Sequence, residues 1–314
     1  MAEDKPASTT PRPPPLKRRG RGEREAKAPS SSEERVRGGG GATVAEALRN
    51  AAERLADTFD TARLDTEVLM AHTLGVSRSD LLLRHMRDAA PAGFAALVER
   101  RAGHEPVAYI VGEQEFYGRP FRVTPDVLIP RGDSEATLAA ALEGAVESGR
   151  VLDLGVGSGT LLLSFLAERP AWDGVGIDRS PEALAVAGDN ACRLGLENRA
   201  RLLRADWHAP GWHDGVGTFD RVIANPPYVE SEAELAPSVR GYEPAGALFA
   251  GADGLDDYRV LIPQLHALLA PGGAAVLEIG AAQGDSVAEI ARLAGFSTDL
   301  RRDLAGRSRA LILR

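Results

Sequence analysis

Val151-Leu152-Asp153-Leu154-Gly155-Val156-Gly157-Ser158-Gly159-Thr160 reads as an apolar strand that runs into three glycines. Residues 161–166 continue it as an apolar helix. Glycine lets a backbone turn sharply and approach a ligand closely. The spacing is Gly-x-Gly-x-Gly, not the Gly-x-Gly-x-x-Gly of dinucleotide enzymes. The next apolar run, residues 174–177, ends at Asp178, 23 residues after Gly155. An acid at that distance can accept both ribose hydroxyls of an adenosine. A third run, residues 200–205, ends at Asp206-Trp207, an edge partner and a flat face for adenine. Three strand ends in series, each polar or glycine-rich, predict an open α/β sheet with its ligand crevice at the carboxyl ends of the strands.

The fourth strand, residues 219–224, runs into Asn225-Pro226-Pro227-Tyr228. This turn suits the holding of a planar NH2 group. The Asn225 side-chain oxygen and the Pro226 carbonyl can each accept one N–H, and neither proline has an N–H of its own. Tyr228 can lay its ring against a flat target. Adenosine binding beside a clamp for a planar amine indicates S-adenosylmethionine as a methyl donor.

Further motifs surround these. They are Pro106-Val107-Ala108-Tyr109-Ile110-Val111-Gly112-Glu113-Gln114-Glu115-Phe116-Tyr117-Gly118 and Val127-Leu128-Ile129-Pro130-Arg131, then Tyr242-Glu243-Pro244 and Gly254-Leu255-Asp256-Asp257-Tyr258-Arg259. Leu277-Glu278-Ile279-Gly280 and Asp303-Leu304-Ala305-Gly306-Arg307 complete the set. Over residues 44–314 the chain resembles the peptide chain release factor N(5)-glutamine methyltransferases. The resemblance implies that Gly155, Val156, Gly157, Ser158 and Gly159 lie under the methionine part of S-adenosylmethionine. It makes Asp178 the ribose ligand and puts Asp206 and Trp207 at the adenine. It makes Asn225, Pro226, Pro227 and Tyr228 the clamp on a substrate glutamine, with Asn225 facing the donor as well. Asn225, Pro226 and Tyr228 are then the expected catalytic set. One departure stands out: the family continues Ile-Pro-Arg with Pro-Glu-Thr-Glu, whereas this chain has Gly132-Asp133-Ser134-Glu135. Asp133 or Ser134 is expected to cap the helix that follows.

Composition is consistent with a cytoplasmic enzyme. Of 314 residues, 44% are hydrophobic, enough for a sizeable core. The single cysteine, Cys192, excludes an intrachain disulfide and is expected to pack inside a helix. No apolar run approaches a membrane span, and the six histidines form no metal-like cluster, so no metal is expected. His208 and His213 bracket a Pro-Gly-Trp turn and are expected to face solvent. The net charge of −8 is uneven: residues 1–41 carry 10 Lys+Arg and 6 Asp+Glu, and the remainder 27 and 39, a net −12. An acidic body argues against direct nucleic-acid contact. A monomer is expected, with release factors as protein partners.

The expected fold is α/β: a seven-stranded Rossmann-like methyltransferase sheet, mostly parallel with its last strand reversed, and a small N-terminal helical bundle joined to it by a β-hairpin. The organisation reads as a low-complexity disordered tail over 1–42, a helical substrate-recruiting domain over 43–105, a hairpin linker over 106–132 and the methyltransferase domain over 133–314. Val44, Leu48, Ala51 and Leu55 repeat at helical spacing. In a second helix over 62–74, Leu64, Val68 and Ala71 are expected inward. Short helices are expected over 79–86 and 91–101, a helix over 134–146, and a helix over 257–269 stopped by Ala270-Pro271-Gly272-Gly273. The polar segment 229–259 is expected to form a lid or substrate wall. The same clamp also serves the exocyclic amine of adenine or cytosine in DNA or RNA. A donor-binding scaffold without activity is a further reading, made less attractive by the complete loop, acid and clamp.

Overall fold

The computed structural model describes residues 41–314. The low-complexity tail falls almost wholly outside the described residues.

The first helix, Val44–Leu55, opens on a capping box: the Thr43 hydroxyl accepts the Glu46 N–H, and the Glu46 carboxylate accepts the Thr43 N–H at 2.8 Å. Its Val44, Leu48, Ala51 and Leu55 stripe is buried, as the spacing predicts. The second helix, Ala62–Leu74, is rotated from its expected setting. Leu64 is exposed and Val68 half-buried, while Leu69, Met70 and Ala71 face inward. The cause is Asp65, which shares that inner face and accepts a hydrogen bond from Arg101 Nε at 2.7 Å, both side chains being about nine-tenths buried. Turning Leu64 inward would withdraw Asp65 and strand the guanidinium, a change far costlier than exposing one leucine. Helix Phe94–Ala102 and a π-helical turn at Leu81–His85 complete the cluster.

The hairpin linker expected over 106–132 is not one hairpin throughout. Val107–Val111 is a helical turn ended by Gly112 at φ 78°. The hairpin is confined to β1 (Glu113–Phe116) and β2 (Arg119–Arg122). Its turn is Tyr117-Gly118, both at positive φ, so Arg119 and Pro120 already belong to the second strand.

The main sheet comprises β3 (Gly149–Leu154), β4 (Trp172–Asp178), β5 (Ala200–Arg204), β6 (Phe219–Ala224), β7 (Leu269–Glu278), β8 (Thr298–Arg302) and β9 (Ser308–Leu313). Their order is β5-β4-β3-β6-β7-β9-β8, and β9 alone runs against the rest. The central strands are apolar on both faces because both are covered. Val151, Ile223 and Val276 enter the core on one side, and Leu152, Val222 and Leu277 the core on the other. The order reverses between β3 and β6, opening a crevice at their carboxyl ends.

Other expectations shift at their edges. The helix predicted over 134–146 is a 3-10 turn followed by Glu135–Leu142, and no side chain caps it. The Asp133 carboxylate instead accepts from Arg307 and Arg309, tying this segment to the β8–β9 turn. The predicted stop at 270–273 is drawn into β7, whose pairing with β6 shifts register between Phe219 and Arg221. Cys192 lies in helix Pro181–Arg193, but on its exposed side rather than packed. Among the described residues, no helix is long and apolar enough to cross a membrane.

Candidate active site

Gly155, Gly157 and Gly159 have φ values of 79°, 53° and 84°, left-handed conformations that disfavour any side chain. At Gly155 there is a second reason: a Cβ would sit 3.1 Å from the Trp207 ring, tighter than side chains ordinarily pack. Gly159 turns the chain into helix Thr160–Glu168, packed against Leu163. The Asp178 carboxylate at the end of β4 accepts the Gly157 N–H on one oxygen and the Ser180 N–H on the other, each at 2.9 Å. Each oxygen keeps a lone pair for a further donor. Asn190 steadies the loop from behind, donating to the carbonyls of Ser158 and Arg122.

Trp207 is held at its indole and at its backbone carbonyl. Its indole N–H donates to Asp257 Oδ1 at 2.9 Å, the same oxygen faces His208 Nε2 at 3.0 Å, and Gln264 donates to the Trp207 carbonyl. His208 is exposed, as expected, but His213 is only partly so. Asp206 accepts the His208 backbone N–H.

One cavity brings Gly155, Val156, Gly157, Ser158, Asp178, Asp206, Trp207, Asn225 and Pro227 together. Gly159, Pro226 and Tyr228 do not line it; Pro226 is buried and Tyr228 half-buried beside it. Its opposite wall includes Arg131 and, from the 229–259 segment, Pro244, Gly246 and Ala247. That wall is pinned by the buried Glu243, which accepts the Ile129 N–H at 3.2 Å and pairs with Arg131. Arg179 donates to the Gly246 carbonyl at 2.9 Å. The cavity suits the expected donor: tight glycine backbone, an indole, carboxylates placed for hydroxyls and an amine. Asp153 Oδ1, buried and unpartnered, lies on the cavity wall, where a cationic ammonium would complete it. Desolvation pushes the Asp153 carboxyl up to about 7, with the Asp178 charge adding to the rise and the Leu162 N–H opposing it.

Two residues here, Gln264 and Asn190, escaped the sequence reading, as did the roles of Asp257 and Glu278, which it quoted only within motifs. Glu278 carried a signal, since it is an acid at the end of an otherwise apolar strand, like Asp153 and Asp178. It follows Leu277, which pairs with Ala224, so it lies level with Asn225. Its carboxylate accepts the Thr137 hydroxyl at 3.2 Å, and its carbonyl accepts the Tyr258 hydroxyl at 2.7 Å. Desolvation pushes Glu278 up to about 7, against the hydroxyls of Ser134 and Thr137 and the charge of Arg309. Burial and the nearby Glu278 also raise Tyr228, so its phenol keeps its proton.

The Glu278 shift has a definite sign. The folded carboxyl binds its proton more tightly than the unfolded one, so the contribution to stability is full below about 4.5 and is lost as pH rises through about 7. Glu278→Gln should therefore gain on the wild type as pH rises across that window, by up to about 3 kcal/mol. Denaturant unfolding of both proteins at acid and mildly alkaline pH measures this. A stability difference that does not change with pH would contradict the assignment.

Comparison with known proteins agrees with this geometry. Residues 46–112 match the family described as PrmC N-terminal domain, and residues 133–240 match the methyltransferase small domain. A release factor glutamine methyltransferase from Cereibacter sphaeroides is 44% identical over 278 residues, covering 86% of this chain and 98% of that protein. Proteins of the same name from Rhodospirillum rubrum and Caulobacter vibrioides are 39% and 40% identical, covering 88% and 86% of this chain and 89% and 96% of theirs.

Proposed function

The chain belongs to the release factor glutamine methyltransferases, and from that premise we propose that it methylates the side-chain amide nitrogen of the glutamine in the Gly-Gly-Gln loop of peptide chain release factors, with S-adenosylmethionine as donor. The observation that carries this reading is the shared cavity wall: Asn225 and Pro227 at the end of β6 stand beside the glycine loop, Asp178 and Trp207.

When bound, the donor supplies an electrophilic methyl group on a sulfonium. Gly155, Val156, Gly157, Ser158 and Gly159 hold its amino-acid end, Asp178 its ribose, and Asp206 and Trp207 its adenine. The protein's remaining task concerns the acceptor. An amide nitrogen is a poor nucleophile because its lone pair is delocalised into the carbonyl. Asn225 Oδ1 and the Pro226 carbonyl accept hydrogen bonds from its two N–H groups, which raises electron density on nitrogen and fixes its orientation, and one of these protons leaves through the clamp or to water once the nitrogen carries the methyl group. Tyr228, kept neutral by burial, offers a ring face without adding charge. Acceptors aimed at nitrogen stabilise the positive charge that develops there. The wall at residues 244–247, pinned through Glu243 and Arg179, limits water around the reacting atoms.

Residues 43–105 serve to recruit the release factor, and residues 133–314 to carry the chemistry. The enzyme acts as a cytoplasmic monomer, and the net charge of −12 beyond residue 41 supports the absence of direct nucleic-acid contact. Methylation of adenine or cytosine is the competing outcome. Peptide mass spectrometry of release factor incubated with the enzyme and donor, beside an oligonucleotide control, decides between them. One added methylene on the Gly-Gly-Gln glutamine is expected. Label in the oligonucleotide with none in the protein would overturn the substrate assignment.

A further inference from the structure

A turn containing two prolines has few N–H groups with which to anchor itself. Whatever holds residues 225–228 must therefore donate to their carbonyls. The Tyr228 carbonyl accepts Gln283 Nε2 at 3.0 Å. The same nitrogen donates to the Gly254 carbonyl at 3.2 Å, and Gln283 Oε1 accepts the Gly280 N–H at 3.0 Å. One half-buried side chain thus joins three segments: the exit of the turn, the loop that precedes helix Asp256–Leu261, and the end of β7.

The surroundings leave no slack. Gly254 has φ 69°, and a Cβ there would collide with the Tyr228 carbonyl and lie 2.8 Å from Gln283 Nε2. At Gly280 a Cβ would lie 2.7 Å from Gln283 Oε1. Two glycines make room for this amide. One residue beyond Tyr228, the chain is paired again: the Val229 N–H donates to Leu248 and its carbonyl accepts the Ala250 N–H. The Tyr228 carbonyl is the point between the turn and that paired segment where an outside group grips the backbone.

We propose that Gln283 is a positioning residue for the Asn225-Pro226-Pro227-Tyr228 clamp, acting through the hydrogen bonds that its amide nitrogen donates to the Tyr228 and Gly254 carbonyls. The proposal rests on the clamp reading given above. It requires a side chain that donates and accepts at once. Glutamate has the same shape and keeps the acceptor for Gly280, but when ionised it loses both donated bonds and sets a negative charge against two carbonyl oxygens.

The test compares wild type, Gln283→Glu and Gln283→Met in single-turnover methylation of release factor, with donor affinity measured by calorimetry. Both variants should transfer methyl about 10- to 100-fold more slowly, the scale of a slight misplacement of reacting groups. Donor dissociation constants should stay within about twofold of wild type, because Gln283 touches the acceptor side. As pH falls toward about 5, Gln283→Glu alone should recover relative to wild type, since a protonated carboxyl can donate again. A purely structural role would not produce that recovery, and Gln283→Met is the control that lacks it. Wild-type rates in Gln283→Glu, equal losses in donor affinity and rate, or absence of the pH recovery would each overturn the positioning role. Should Gln283→Glu not fold, Gln283→Met with a wild-type rate would overturn it too. If wild type itself leaves release factor unmethylated, the functional reading fails instead, and the two failures are distinguishable in one assay.

Discussion

Asn225→Ala is expected to lower the rate of methyl transfer about 10²- to 10⁴-fold while changing donor affinity only a few-fold. The asymmetry follows from where the residue stands. Asn225 is the first residue past β6, on the cavity wall, and half-buried. Under the clamp reading its side-chain Oδ1 is one of only two acceptors for the acceptor amide, the other being the Pro226 carbonyl. With one acceptor gone the nitrogen can rotate about the remaining bond, and its lone pair no longer tracks the methyl group. The donor keeps the glycine loop, Asp178 and Trp207, which lie after β3, at the end of β4 and in the segment after β5. Asn225→Asp is the sharper companion: it keeps the acceptor geometry but places a carboxylate level with Glu278. Single-turnover rates together with donor calorimetry measure both variants. Comparable losses in rate and donor affinity would remove Asn225 from the acceptor side.

Gly155→Val should act in the opposite sense, on the donor. Position 155 requires φ 79°, which a β-branched residue strongly resists, and even one added carbon would press on the Trp207 ring at 3.1 Å. Trp207 cannot retreat freely, because Asp257 and Gln264 hold its indole and its carbonyl. The strain must therefore be relieved by the loop itself, which also carries the Gly157 N–H that orients Asp178. Donor affinity is expected to fall at least about 100-fold, since a displacement of the loop moves several donor contacts together. Calorimetric titration with S-adenosylmethionine reads this directly, and far-ultraviolet circular dichroism verifies that the sheet persists. Retained donor affinity in a folded variant would show that the loop does not seat the donor.

The strands, the glycine turn, Asp178, Trp207 and the 225–228 turn were legible because each is a local matter: periodicity, positive φ, and a polar residue at a strand's end. The expected seven-stranded sheet with its last strand reversed is the one observed. The rotation of helix Ala62–Leu74 was not legible, because Asp65 turns inward only to meet Arg101, 36 residues away. The hairpin shrank to Glu113–Phe116 and Arg119–Arg122 because its pairing begins only after the Gly112 helix stop. Asp133 looked like a local cap, yet it accepts from Arg307 and Arg309, 174 and 176 residues on. The supports of the site follow the same rule. Asp257 behind Trp207 and Gln283 under Tyr228 come from chain segments remote from the groups they touch, as Glu278 does from Thr137. By itself the sequence determined where the glycine turn, the acid at the end of β4 and the 225–228 turn fall, since those depend on residue type and local backbone. Only the tertiary structure decided which side chains hold those groups still, since a hydrogen bond between distant segments leaves no spacing to read.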